Sequence, residues 1–186
     1  MITGPSGVGK GTLIRSLLER VPELELSVSA TTRRPRLGET HGVDYHFLSE
    51  TEFERRVAEG DFIEHARYSG SRYGTLRSEL DRIASHDHVA VLELETDGAL
   101  LVQDQVPGAC TIFIAAPVEE LERRLRERAT ESTGEIGERI TIARHQLEQA
   151  HKFRYMVRND DVMRASEVLA AIVERELVLA GTMAPR

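Results

Sequence analysis

Tryptophan is absent from this chain of 186 residues, and cysteine occurs once, at Cys110. A lone cysteine excludes an intrachain disulfide and leaves no cysteine pair for a structural zinc site, so a reducing cytoplasm is the simplest home. Lysine is scarce as well. Lys10 and Lys152 are the only two, and arginine supplies the rest of the 24 basic residues. Against 31 acidic residues they leave a formal charge of −7, which argues against nonspecific binding to nucleic acid or to an anionic membrane. No apolar run approaches the roughly 20 residues of a membrane span. The chain enters a glycine-rich stretch almost at once, and no signal peptide is expected. The seven histidines are His41, His46, His65, His86, His88, His145 and His151. None is paired at the i, i+4 spacing of a helical zinc site, and they read as surface residues.

What remains is a composition of 40% hydrophobic and 30% charged residues, which suits one globular domain with its own core. LIRSLLERV carries apolar residues at helical spacing until Pro22 ends it. Residues 33–75 are rich in turn residues around one helical piece, ETEFERRVAEG, closed by Gly60. VAVLEL (Val89 to Leu94) and CTIFIAA (Cys110 to Ala116) are apolar runs of the kind found in buried parallel strands. A strongly helical VEELERRLRERA follows, then a polar segment interrupted by Gly134 and Gly137, a long helix, a short strand at MVRN and a closing helix. Strands alternating with helices predict an α/β fold around a parallel sheet flanked by helices.

The stretch GPSGVGKGT comprises Gly4, Pro5, Ser6, Gly7, Val8, Gly9, Lys10, Gly11 and Thr12. Its spacing fits G-x-x-x-x-G-K, in which backbone N–H groups and a helix N-terminus cradle the phosphates of a nucleoside triphosphate. Lys10 reaches the β- and γ-phosphates as a point charge. Two features depart from the pattern. Gly11 stands where a hydroxyl usually ligates Mg²⁺, with Thr12 next to it. Only Met1, Ile2 and Thr3 precede the loop, fewer than the usual strand of about 5–6 residues, and a missing N-terminal segment is the expected explanation.

Downstream, SVSATTRRPRLGE, GVDYHF and FIEHARYSGSRYGT follow in order, then FIAAPVEELERRLRERA, ERI, ARHQLEQA and RNDD. From Ile2 to about residue 176 this succession resembles the guanylate kinase family. The resemblance implies a P-loop NTPase core, an inserted mixed α/β GMP-binding subdomain at 29–75 and a small helical lid at 123–140. The core would comprise 1–28, 76–122 and 141–180. It implies phosphorylation of GMP, and of dGMP, by ATP with Mg²⁺. Glu64 matches the carboxylate that takes guanine N1–H and N2–H₂, with Ser29 and Thr75 as hydroxyls near the base. Arg33, Arg36, Tyr45 and Tyr73 match the positions that hold the GMP phosphate. Arg124, Arg128 and Arg139 match lid arginines, and Asn159 a position near the ATP base.

The family's D-I-D followed by Q-G is here ELETDG. Strand alternation puts Glu93 and Glu95 on one face, at the carboxyl end of a strand where open α/β sheets bind ligands. By resemblance Glu93 would sit near the magnesium waters and Glu95 near the acceptor nucleotide. Two other readings stay open: a kinase of the same fold with a different nucleotide or phosphosugar acceptor, and an inactive module that binds phosphorylated peptides. The sequence specifies no oligomeric state.

Overall fold

The protein is described by a computed structural model covering residues 1–68, 70–106, 108–127 and 133–184. In chain order the elements are β1 (Ile2–Thr3), α1 (Lys10–Arg20), β2 (Leu24–Leu26), β3 (Ala30–Thr31), β4 (His46–Phe47), α2 (Glu50–Ala58), β5 (Phe62–Tyr68) and β6 (Ser71–Leu76). There follow α3 (Arg77–Ala84), β7 (Val89–Val91), α4 (Thr96–Gln105), β8 (Ile112–Ala115), α5 (Val118–Glu127), α6 (Thr133–Glu148), β9 (Tyr155–Arg158) and α7 (Val162–Leu179). The chain divides into two compact units.

The first unit comprises Met1–Pro22, Glu93–Ala99 and Gly108–Arg186. Its sheet has the order β1-β8-β9, all parallel. The run at CTIFIAA becomes the middle strand, and Ile112, Phe113 and Ile114 are all buried. That continuous burial is what a parallel strand covered on both faces demands. α1 buries Leu13, Ile14 and Leu17 and packs against α7, which buries Ala165, Leu169, Ala170 and Leu177. α7 begins before the closing apolar repeat, because the Asp161 side chain caps it by accepting from the Arg164 N–H at 2.9 Å. The glycines at 134 and 137 do not interrupt α6. Gly134 lies in the first turn, and Gly137 costs about 1 kcal/mol within the helix, too little to outweigh the burial of Ile140 and Ala143 further along.

The second unit comprises Glu23–Leu92 and Leu100–Pro107. β2 and β7 pair in parallel, and a four-stranded mixed sheet has the order β4-β3-β6-β5. Its core is Ala30, Phe53, Phe62 and Leu76, with Leu48 and Val57 packed against it. The Phe53 and Phe62 rings stack with centroids 4.4 Å apart. α2 is set by a capping pattern, Ser49-x-x-Glu52, in which the Ser49 hydroxyl accepts the Glu52 N–H. Among the described residues, no helix is long and apolar enough to cross a membrane.

Candidate active site

The glycine loop lies in the first unit, between β1 and α1. Its shape depends on glycine at three places, with φ of 145° at Gly4, 82° at Gly7 and 94° at Gly9. Gly4 is the tightest of these, since a Cβ there would stand 2.2 Å from the Ile114 carbonyl oxygen on β8. At Gly11 an added Cβ would meet nothing within 4 Å. Lys10 opens α1, and its ammonium donates to the Gly4 carbonyl at 2.7 Å, across the loop it belongs to.

Beneath the loop, one carbonyl gathers two distant residues. Val8 C=O accepts from Asn159 Nδ2 at 2.7 Å and from Arg124 Nη1 at 3.2 Å. Arg124 also donates to the Asn159 carbonyl at 3.1 Å and to Glu120 at 2.8 Å. It is therefore a part-buried brace between α5, the loop and the end of β9. Asn159 is buried, and its Oδ1 has no hydrogen-bond partner. Asn159→Ala deletes the shorter bond to Val8 but leaves that carbonyl its bond from Arg124, and is expected to cost about 0.5–1.5 kcal/mol of stability. A lowered urea midpoint at unchanged m would show it. Arg139 is half-buried on α6, and Arg128 falls outside the described residues.

The carboxylates of ELETDG stand in the same unit. β7 ends at Val91, short of the strand to Leu94 that the sequence predicts, so Glu93 and Glu95 lie beyond it; the burial still alternates, with Leu92, Leu94 and Thr96 buried and the two glutamates half-buried. Glu93 makes a parallel bridge to Ile2, and Glu95 accepts from Gln146 Nε2 on α6 at 3.3 Å. Burial pushes the Glu93 carboxyl above its ordinary range, the Lys10 ammonium draws it back, and Glu95 pushes it up again. Carboxylates are hard oxygen donors that suit Mg²⁺, which keeps much of its water shell. A half-buried acid carrying this desolvation cost fits a nearby cation.

The second unit gathers the remaining candidates. Glu64 on β5 is paired with Thr75 on β6, and Glu64 Oε1 accepts from the Thr75 hydroxyl at 2.9 Å. Only 7% of Glu64 is exposed. Burial pushes its carboxyl up, and hydrogen bonds from Thr75 pull it partly back. Ser29 is half-buried, and its carbonyl accepts from the His46 N–H at 2.9 Å. Arg33 lies 5.3 Å from the Tyr45 ring centroid and 5.7 Å from that of Phe47. The rings of Tyr45 and Tyr73 are 6.1 Å apart.

Sequence reasoning assigned no part to Glu39, yet this residue organises the cluster. It receives two guanidinium bonds from Arg33, at 2.8 and 3.0 Å, and the Arg36 N–H at 2.7 Å. The hydrogen bond from Arg33 is the main reason its carboxyl titrates below the ordinary range. The Arg36 side chain is exposed. Glu79, buried on α3, was also unmarked. It accepts from the Val28 N–H at 3.0 Å and lies 3.1 Å from His46 Nε2, tying β4 and the chain after β2 to the helix. A closing carboxylate in RRPRLGE was the available signal for Glu39. Glu79 had none in spacing, because its partners come from other elements.

A parallel α/β sheet whose first strand feeds a glycine loop, with a lysine opening the helix behind it, defines a P-loop nucleotide-binding protein. The guanylate kinase family model matches residues 1–176. A guanylate kinase of Rubrobacter xylanophilus is 45% identical over 182 residues, which are 97% of this chain and 94% of that protein. One of Nostoc sp. is 44% identical over 170 residues, or 91% of this chain and 85% of its own length. The crystal structure of guanylate kinase from Anaplasma phagocytophilum matches with a TM-score of 0.76 at 29% identity, covering 95% of this chain and 85% of that one. The chain belongs to the guanylate kinase family.

Proposed function

We propose that the protein transfers the γ-phosphoryl group of ATP to GMP, and to dGMP, giving ADP and the nucleoside diphosphate. The observation that carries the acceptor is the buried Glu64 carboxylate with its Thr75 partner. Guanine offers N1–H and N2–H₂ side by side, and one carboxylate accepts from both. Adenine has no such pair of donors, and would leave a buried carboxylate unanswered. Base donors also favour the ionised form that burial disfavours, so the correct base relieves the cost the protein carries at Glu64.

Residues 29–75 act as the GMP-binding subdomain. Ser29 and Thr75 contact the base, Arg33, Arg36, Tyr45 and Tyr73 hold the phosphate, and Glu95 orients the acceptor. ATP is held by the loop from Gly4 to Thr12, with the unpartnered Asn159 Oδ1 available to the adenine amino group. Phosphoryl transfer asks little covalent chemistry of a protein; positioning and charge neutralisation do most of the work. Lys10 stabilises the transferring group together with Arg124, Arg128 and Arg139, and residues 123–140 act as a lid that excludes water. Magnesium bound to the donor supplies further neutralisation of the phosphate oxygens, and Glu93 would hold it through water. We assign the reaction to the cytoplasm, in keeping with a single cysteine.

An ATP- and Mg²⁺-dependent assay with GMP, dGMP, AMP, UMP and CMP tests the reading. Turnover is expected with GMP and dGMP alone. Turnover with AMP or UMP and none with GMP would overturn the acceptor. A folded protein without turnover that binds phosphopeptides would overturn the enzyme.

A further inference from the structure

Away from the candidate nucleotide residues, three side chains of the second unit meet around one atom. β2 contributes Glu25, and the turn between α3 and β7 contributes His86 and His88. Both imidazole Nδ1 atoms approach the same carboxylate oxygen, Glu25 Oε2, at 3.2 Å from His86 and 3.1 Å from His88. One donor atom from each residue lies within 4.8 Å of the other two. Ligands of a single tetrahedral ion, bonded at about 2.0–2.1 Å, stand roughly 3.3 Å apart. Two edges of the triangle already have that length.

The backbone produces this convergence. Asp87, between the two histidines, has φ of 57° and is the only non-glycine residue with positive φ among the described residues. Aspartate tolerates that left-handed conformation better than most residues. The N–H groups of His86 and His88 both donate to the Ile83 carbonyl, at 3.1 and 3.3 Å, which fixes the turn at the end of α3. Parallel pairing of Leu24 with Val89 then sets Glu25 beside it. Arg82 occupies the other carboxylate oxygen, Oε1, and also bonds Glu79 at 2.9 Å. The guanidinium holds the Glu25 carboxylate in place and leaves Oε2 to the imidazoles, the support that ligating carboxylates usually receive. Side-chain exposures of 52% for His86, 39% for His88 and 26% for Glu25 leave a route from water.

We propose that Glu25, His86 and His88 bind a divalent transition-metal ion of the zinc, cobalt or nickel type, each through one atom, with water completing the coordination. Two imidazole nitrogens select such borderline cations, whereas Mg²⁺ prefers oxygen ligands alone. The site is thus chemically separate from any magnesium carried by a nucleotide. The ion clips β2 to the α3–β7 turn and stabilises the folded unit by mass action.

The test uses the full, untagged chain stripped of metal, titrated with Zn²⁺ by calorimetry and with Co²⁺ by visible absorption, without nucleotide. Expected are a single equivalent of metal, a cobalt d–d band and a melting temperature that rises with Zn²⁺. The double variant His86→Asn, His88→Asn should lose the band and weaken uptake by at least about tenfold. The variant His145→Asn, His151→Asn should bind as wild type. Both variants change exposed side chains, and unchanged circular dichroism and turnover would show them folded. No stoichiometric uptake by the wild-type chain would mean that the cluster is a pair of ordinary imidazole–carboxylate hydrogen bonds, and would overturn the proposal. Undiminished uptake by the His86, His88 variant would overturn it equally.

Discussion

Lys10→Ala is expected to lower turnover by about 10³-fold while the chain stays folded. The ammonium is the cation built into the loop itself, held 2.7 Å from the Gly4 carbonyl. In the proposed reaction it exchanges that neutral acceptor for phosphate oxygens as negative charge develops, and alanine offers nothing in its place. Folding survives for two reasons. Alanine is the best helix former at the opening of α1, and one lost side-chain hydrogen bond costs only about 0.5–1.5 kcal/mol. Removing the ammonium also removes the one influence that draws the Glu93 carboxyl down, so Glu93 becomes easier to protonate. Steady-state turnover beside a thermal melt decides the matter. Wild-type turnover in the variant would end the assignment of Lys10 to the reaction.

Glu64→Gln is expected to act in two opposite directions. With GMP, the glutamine amide presents its own N–H toward a base edge that is already a donor, and the charge is lost. A bidentate base contact is worth about 1–3 kcal/mol, so kcat/KM for GMP should fall roughly 5- to 150-fold. Without GMP, the variant should be more stable than wild type at neutral pH. Glu64 titrates above its ordinary value of 4.5 in the folded chain. The folded state therefore holds its proton more tightly than the unfolded state does. Stability from this group is full below the ordinary carboxylate pKa and is lost as pH rises through the raised folded value. Glutamine has no such loss and keeps an oxygen for the Thr75 hydroxyl. Melting curves at acid and neutral pH should converge at the acid end and separate at neutral pH. An unchanged KM for GMP would remove Glu64 from base recognition.

The parts of this protein that sequence made legible are local ones. The glycine loop and the start of α1 lie within nine consecutive residues, and the middle strand of the first unit announces itself by continuous apolarity. The helices α3 and α4 are hidden for another reason than length, since α2 and α5 are scarcely longer. α3 offers only Leu80, Ile83 and Ala84 as apolar residues, and α4 bunches Ala99 to Val102 in one run, so neither sustains helical spacing. The contacts that shape the candidate sites are long-range, and spacing is silent about those. Asn159 reaches Val8 across 151 positions and Gln146 reaches Glu95 across 51. Glu25 meets His86 and His88 only because β2 pairs with β7. Glu39 was visible as a residue, but its grip on Arg33 depends on how the turn folds back.

The loop's glycines also differ in how far they are free to change over generations. Gly4 is closed to every side chain, both by its backbone angle and by the Ile114 oxygen. Gly11, the residue that departs from the common pattern, is the open one: no neighbour would have to move, and its φ is not positive. Serine costs less than glycine within a helix, so packing offers no resistance to the usual hydroxyl at that position. The departure is therefore reversible by mutation, one that the fold tolerates without enforcing.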